Sequence, residues 1–129
     1  VVSGDFYWAI QLSNNNFVLV TADSTGHGVP GAIMSILNVA CLDKAVTKGI
    51  ISPDLILNET RQLVIESLKN DGSQDGGKDG MDASLLSFDF KNNILYCAAI
   101  TCQSVNMTKI KFLLLYIQSI YKRAMLCIA

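Results

Sequence analysis

One stretch limits what this chain can fold into more tightly than any other: Thr21-Ala22-Asp23-Ser24-Thr25-Gly26-His27-Gly28-Val29-Pro30-Gly31-Ala32. An apolar run ends on a carboxylate, a glycine-rich turn follows, and a helix opens. Asp23 therefore stands where a strand stops, beside backbone that can approach a ligand closely. Gly26, Gly28 and Gly31 lack a Cβ, so they can take positive φ and leave room for a metal or a phosphate. Pro30 suits the first helical position, where its missing N–H is not needed. The helix points a partially positive N-terminus toward the same place. Asp23 and its turn read as an oxygen-ligand metal and phosphate site.

The rest of the chain supplies a scaffold for that turn. Residues 1–12 read as a strand, with Ser3-Gly4 as a bulge, and Ser13-Asn14-Asn15-Asn16 as a turn, since Asn tolerates the left-handed region. Residues 17–22 are β-branched and apolar, which predicts a central strand buried on both faces. The two strands form an antiparallel hairpin that brings Asp5 close to Asp23, although sequence alone does not fix the register. Residues 30–48 read as a helix with an apolar stripe through Ile33, Met34, Ile36, Leu37, Ala40, Cys41 and Val46, ended by Gly49. Ser52-Pro53-Asp54 starts a second helix with Leu57, Val64, Ile65 and Leu68 on its core face, stopping near Asn70-Asp71-Gly72. Residues 71–80 read as a polar surface loop. Residues 83–90 and 94–100 are two more strands around Lys91-Asn92-Asn93. The order β-β-α-α-β-β predicts an α+β fold, with an antiparallel helix pair packed on an antiparallel sheet.

At 129 residues, half of them hydrophobic, the chain is one domain or a piece of one. Its net charge of −1 gives no sign of nucleic-acid binding, but it hides an asymmetry. All eleven acids fall at or before Asp89, whereas five bases and no acid follow. No Gly or Pro occurs after that point either, so residues 101–129 read as a divergent hydrophobic and basic tail. Cys41, Cys97, Cys102 and Cys127 form no C-x-x-C pair, and with a single histidine they read as free thiols of a cytoplasmic protein rather than a zinc site. The longest apolar run, Phe112 to Ile117, is too short to span a bilayer.

Asp5 and Asp23 are the candidate metal ligands, because hard divalent cations prefer carboxylate, carbonyl and water oxygens. The carbonyl of Ser24 is read as exposed and as a third donor. His27 has an ordinary pKa near neutrality, which suits protonation of a leaving oxygen; hydrogen bonding within the turn is an equal reading. Asp79 and Asp82 flank Gly80-Met81, where loop solvation weighs more than a role near a metal. Trp8 and Tyr7 read as packing residues. Neither a Ser-His-Asp triad nor a P-loop is present.

Ser3-Gly4-Asp5-Phe6-Tyr7-Trp8 and Ala22-Asp23-Ser24-Thr25-Gly26-His27-Gly28-Val29-Pro30-Gly31-Ala32, at this separation, resemble the SpoIIE/RsbU-type branch of the PPM (PP2C-like) serine/threonine phosphatases. Asp79-Gly80-Met81-Asp82-Ala83-Ser84-Leu85-Leu86 looks like the strand that follows the helices there. The resemblance covers residues 1–99 and implies part of an α-β-β-α sandwich with two Mg²⁺ or Mn²⁺ ions between the sheets. It implies Asp5, Asp23 and the Ser24 carbonyl as metal ligands, and a metal-bridging water that attacks the phosphorus. The implied substrate is a phosphoserine or phosphothreonine protein of a bacterial signalling system, such as an anti-sigma-factor antagonist, with sensor domains N-terminal in the full protein. The family's two later acidic motifs have no counterpart here, and its first strand is missing ahead of Val1. The sequence thus predicts a partial phosphatase domain over residues 1–100. The alternative is a non-catalytic regulatory or binding fragment that keeps the fold without complete metal sites.

Overall fold

The computed structural model describes residues 3–69 and 79–101, and the backbone of residues 105–110. The expectations for most of the polar loop and for residues 111–129 lie outside the described residues. The elements run β1 (Asp5–Gln11), β2 (Phe17–Ser24), α1 (Gly28–Thr47), α2 (Pro53–Lys69), β3 (Met81–Asp89), β4 (Ile94–Ile100) and β5 (Val105–Ile110). The strands form one antiparallel sheet in the order β1-β2-β3-β4-β5. Six of these elements follow the predicted order. The seventh, β5, extends the sheet into the stretch set apart as a tail.

Both helices lie on one face of the sheet and pack against each other. Trp8, Val18, Val20, Met81, Ala83, Leu85, Ala98 and Ile100 face them, with Leu42, Ala45, Ile56 and Leu57 coming down from the helices. Burying the Val, Leu, Ile and Met side chains among them supplies about 1.5–3 kcal/mol each. The Trp8 Nε1–H, which burial would otherwise strand, donates to Asp43 Oδ1 at 2.9 Å. Gly49, at φ 77°, closes α1 by donating its N–H to the Val46 carbonyl.

Three expectations need correcting. Helix α1 starts at Gly28, two residues early, so Pro30 sits inside its first turn, where an N–H is still dispensable. Its buried side is Gly31, Asn38, Cys41, Leu42 and Ala45, whereas Ile33 and Ile36 point outward. The helix is apolar nearly all round, so hydrophobic period alone could not choose the face. By length and composition α1 would also cross a bilayer, but here it is a core helix seated on the sheet. Strand β2 is central, as expected, but its buried residues, Val18, Val20 and Ser24, all lie on the helix-facing side; Phe17, Thr21 and Asp23 on the other side are exposed.

That second face divides into two parts. Its distal end carries an apolar cluster of Phe88, Leu95, Leu19 and Leu86. Phe17 and Phe90 contact Phe88, with ring centroids 6.2 and 5.9 Å away. Tyr7, expected to pack, lies on this face nearer the carboxylates and is 80% exposed. Its other end carries the carboxylates.

Candidate metal-binding groove

The register settles what the hairpin left open. Asp5 lies directly opposite Asp23, and Asp23 lies directly opposite Asp82. Directly opposed residues share a sheet face, so three carboxylates form a row across three strands, about 5 Å apart from Cα to Cα. Asp82, given a loop reading from sequence, is the second residue of β3. A groove of about 500 Å³ runs past Asp5, Asp23 and Asp82 toward Ser84 and Thr101. A second depression, about 460 Å³, lies across Ser3, Gly4, Asp5, Asp23, Ser24, Thr25, Gly26 and His27. Asp5 and Asp23 are common to both.

The turn beside them is held from beneath. The Gly4 carbonyl accepts the Ser24 N–H at 2.9 Å, so the ladder continues one step beyond β1. A Cβ on Gly4 would stand 2.4 Å from the Ser24 carbonyl oxygen, a contact real Cβ atoms essentially never make, and a tight 3.3 Å from Asp23 Oδ1. At Gly31 a Cβ would meet the Gly26 carbonyl oxygen at 2.5 Å. Gly31 is thus required for close approach of α1 to the turn, while Gly26 and Gly28 do take positive φ, 92° and 63°.

Ser24 itself is only 3% exposed, so its carbonyl is less open than the sequence led one to expect. Its side chain points into the molecule, where Asn38 Nδ2 donates to Ser24 Oγ at 2.9 Å. Ser35 Oγ lies 2.8 Å from the Gly4 carbonyl, 3.0 Å from that of Gly31 and 3.2 Å from Ser24 Oγ, and its one proton serves one of them. Sequence reasoning missed both residues. The signal was there: Ser35 and Asn38, three residues apart, are the polar positions in an otherwise apolar stretch of α1 from Val29 to Leu42. Thr25 ties the turn to β3, since its N–H donates to the Gly80 carbonyl and its Oγ1 accepts the Gly80 N–H, both at 3.1 Å. His27 is the exposed N-cap residue of α1, with extended backbone and no side-chain cap bond.

Asp5, Asp23 and the Ser24 carbonyl are the donor types a hard cation takes, and they lie along one groove. Among the described residues, however, no three His, Cys, Asp or Glu side chains close around a single point. The residues fit an oxygen-ligand cation in kind, without a completed coordination shell.

No family model and no curated protein matches the chain. Solved structures do. The SiaA-PP2C domain of Pseudomonas aeruginosa superposes with a TM-score of 0.69 at 26% identity, covering 84% of this chain and 51% of that one. The PP2C phosphatase domain and regulatory fragment of SpoIIE from Bacillus subtilis gives 0.59 at 17%, covering 85% and 33%. The RsbU and RsbW domains of a Mycobacterium tuberculosis protein give 0.58 at 22%, covering 77% and 25%. The fold is therefore that of SpoIIE/RsbU/SiaA-like PP2C phosphatase domains, found in bacterial signalling proteins. The chain spans about half the length of the SiaA domain and less of the other two.

Proposed function

We propose that this chain is the metal-binding half of a metal-dependent phosphoserine/phosphothreonine protein phosphatase from a bacterial signalling protein. The observation that carries the reading is the direct pairing of Asp5 with Asp23, beside a glycine turn at the mouth of a helix. Asp5 and Asp23, with the Ser24 carbonyl, would hold Mn²⁺ or Mg²⁺, and such ions supply an acidified water and neutralise phosphate charge. The chain's own part is to fix those oxygens. Gly4 lets the Ser24 carbonyl approach, Ser35 and Asn38 anchor the turn, and Gly26 and Gly28 keep the approach to a phosphoryl group clear. His27, exposed at the head of α1, is the candidate proton donor to the leaving oxygen. The proposed substrate is a phosphoprotein such as an anti-sigma-factor antagonist, met in the cytoplasm, where Cys41 and Cys97 remain free thiols. The proposed boundary of the phosphatase part is residue 100.

The alternative is a regulatory or binding fragment that has the fold and no turnover. The open carboxylate row favours it, because attack on phosphorus needs every ion positioned. Isothermal titration with Mn²⁺, together with phosphate release from a phosphoserine peptide, separates the readings. Binding that Asp23→Asn abolishes, with metal-dependent release, supports the enzyme. Binding without release supports the fragment, and equal binding by both proteins rejects the site.

A further inference from the structure

One buried hydroxyl far from the carboxylate row has nothing to bond. Ser87 is 0% exposed, and its Oγ has no hydrogen-bond partner among the described residues. It lies opposite Val18 of β2 and Tyr96 of β4, on the side of the sheet that faces the helices. Leaving a buried hydroxyl unpaired is costly, and an alanine there would avoid the cost.

The hydroxyl does not end in a closed core. Ser87 lines a pocket of about 270 Å³ at the start of α2. Pro53 and Ile51 wall it at the entry to that helix, Asn14 at the β1–β2 turn, and Tyr96 and Asp89 on the sheet. A single water that would satisfy one hydroxyl needs only ~30 Å³. Polar neighbours in the wall are engaged elsewhere. Ser52 donates its hydroxyl to Asp54 Oδ1, and its carbonyl accepts the Ile56 N–H. Asn14 Oδ1 accepts the Asn16 N–H. Asp89 is the one charged wall residue among those described, and its bonds to Asn92 leave a further acceptor position on each carboxylate oxygen.

We infer that this pocket binds an alkylguanidinium group, whose N–H fork is shared between the Asp89 carboxylate and Ser87 Oγ. Three properties choose this ligand. The first is charge. Asp89 in the wall and Asp54 in the first turn of α2 repel the anion that a helix N-terminus would otherwise attract. The second is hydrogen bonding. The open positions at Asp89 and Ser87 are acceptors on two separate side chains, and a guanidinium carries donors alone, in a rigid planar fork that reaches both. The third is the apolar part of the wall. Pro53 and Ile51 suit an alkyl stem, and the Tyr96 ring suits the face of the cation. The site lies about 17 Å along β3 from Asp82 and on the other face of the sheet, so it does not depend on the phosphatase reading.

Titration of the ¹⁵N-labelled full chain with ethylguanidinium, followed by amide chemical shifts, tests this. Saturable shifts centred on Ser87, Asp89 and Leu55 are expected. Asp89→Asn and Ser87→Ala should each weaken the binding about tenfold, the usual loss for a hydrogen bond to a charged group. Shifts that never saturate, or binding that both variants retain, overturn the proposal. Ethylammonium bound as tightly as ethylguanidinium also overturns it, because the fork would then play no part. A second reading comes without ligand. Ser87→Ala should keep or raise the urea midpoint, since the hydroxyl has no bond to lose; a lower midpoint shows it already bonded and overturns the site. A blocked Gly-Arg-Gly peptide names the source of the group: tighter binding than ethylguanidinium supports an arginine side chain of a partner, and weaker binding supports a free small molecule.

Discussion

Asp5 and Asp23 face each other across the β1–β2 ladder with no base between them among the described residues. Like charges directly opposite in a sheet are destabilising, by roughly 0.2–1 kcal/mol on the scale of cross-strand pairs. Asp82 lies opposite Asp23 on the next strand. A fold that keeps such a row at one sheet end gains from neutralising it. The metal-free Asp23→Asn protein should therefore be slightly more stable than wild type, by up to about 1 kcal/mol. Mn²⁺ should reverse the ranking, raising the melting temperature of wild type and not that of the variant. Thermal melts with and without Mn²⁺ read both effects, and a variant that melts lower than wild type without metal would contradict the repulsion.

Gly4 offers a test of the turn itself. A methyl group there would sit 2.4 Å from the Ser24 carbonyl oxygen, and the neighbour that must yield is backbone. Overpacking of this kind costs typically about 1–3 kcal/mol. Gly4→Ala should lower the urea midpoint accordingly and weaken Mn²⁺ binding about tenfold or more, as displaced supporting contacts do at metal sites. Loss of stability with unchanged metal affinity would separate Ser24 from the site.

Much of this was legible in the sequence, for identifiable reasons. Strand ends, the Ser52-Pro53 start of α2 and the Gly49 stop of α1 are set by local chemistry, so they were readable. The turn at Gly26 and Gly28 was readable because only glycine adopts its φ values at little cost. What failed depended on packing. Gly31 needs no unusual φ; its requirement is the Gly26 carbonyl 2.5 Å from where a Cβ would be. Ile33 and Ile36 looked like core positions because the polar residues between Val29 and Leu42, Ser35 and Asn38, face inward, so polarity there does not mark the outward side. The Asp82–Asp23 pairing joins residues 59 positions apart by subtraction of their numbers, and only the register of β2 on β3 reveals it. The cluster of Phe88, Leu95, Leu19 and Leu86 was missed for the same reason.

Asp89 should make stability depend on pH in a known direction. Its carboxylate accepts the Asn92 N–H at 3.0 Å and Asn92 Nδ2–H at 2.8 Å, and these bonds to Asn92 hold its pKa below the ordinary carboxylate value. A group whose folded pKa is depressed stabilises the fold above its unfolded pKa and loses that contribution as pH falls through the folded value. Wild type should therefore exceed Asp89→Asn in urea midpoint at neutral pH, and the gap should close in acid below the usual carboxylate range. A gap that stays constant across the titration would mean that the β3–β4 turn draws nothing from the charge.

Asn38 is the most demanding test of how the candidate site is supported. Its side chain is 0% exposed between α1 and the sheet, and one of its donors meets Ser24 Oγ at 2.9 Å. Its Oδ1 has no hydrogen-bond partner among the described residues. A buried amide kept half-satisfied costs stability, so the bond to Ser24 must offset part of that cost. Asn38→Ala removes both the bond and the unpaired oxygen but leaves a cavity and a Ser24 hydroxyl with only Ser35 Oγ, 3.2 Å away, to meet it; the net loss should be about 1–3 kcal/mol. Asn38→Leu fills the space and removes the unpaired oxygen, so it should recover part of that stability. Metal affinity should not recover with it, because neither variant restores the Asn38 bond to Ser24 Oγ. Denaturation midpoints and Mn²⁺ titrations of the two variants together make the comparison. If Asn38→Leu restores stability and metal binding alike, the residue only fills space; if it restores stability alone, the hydrogen bond to Ser24 sets the turn beside Asp23.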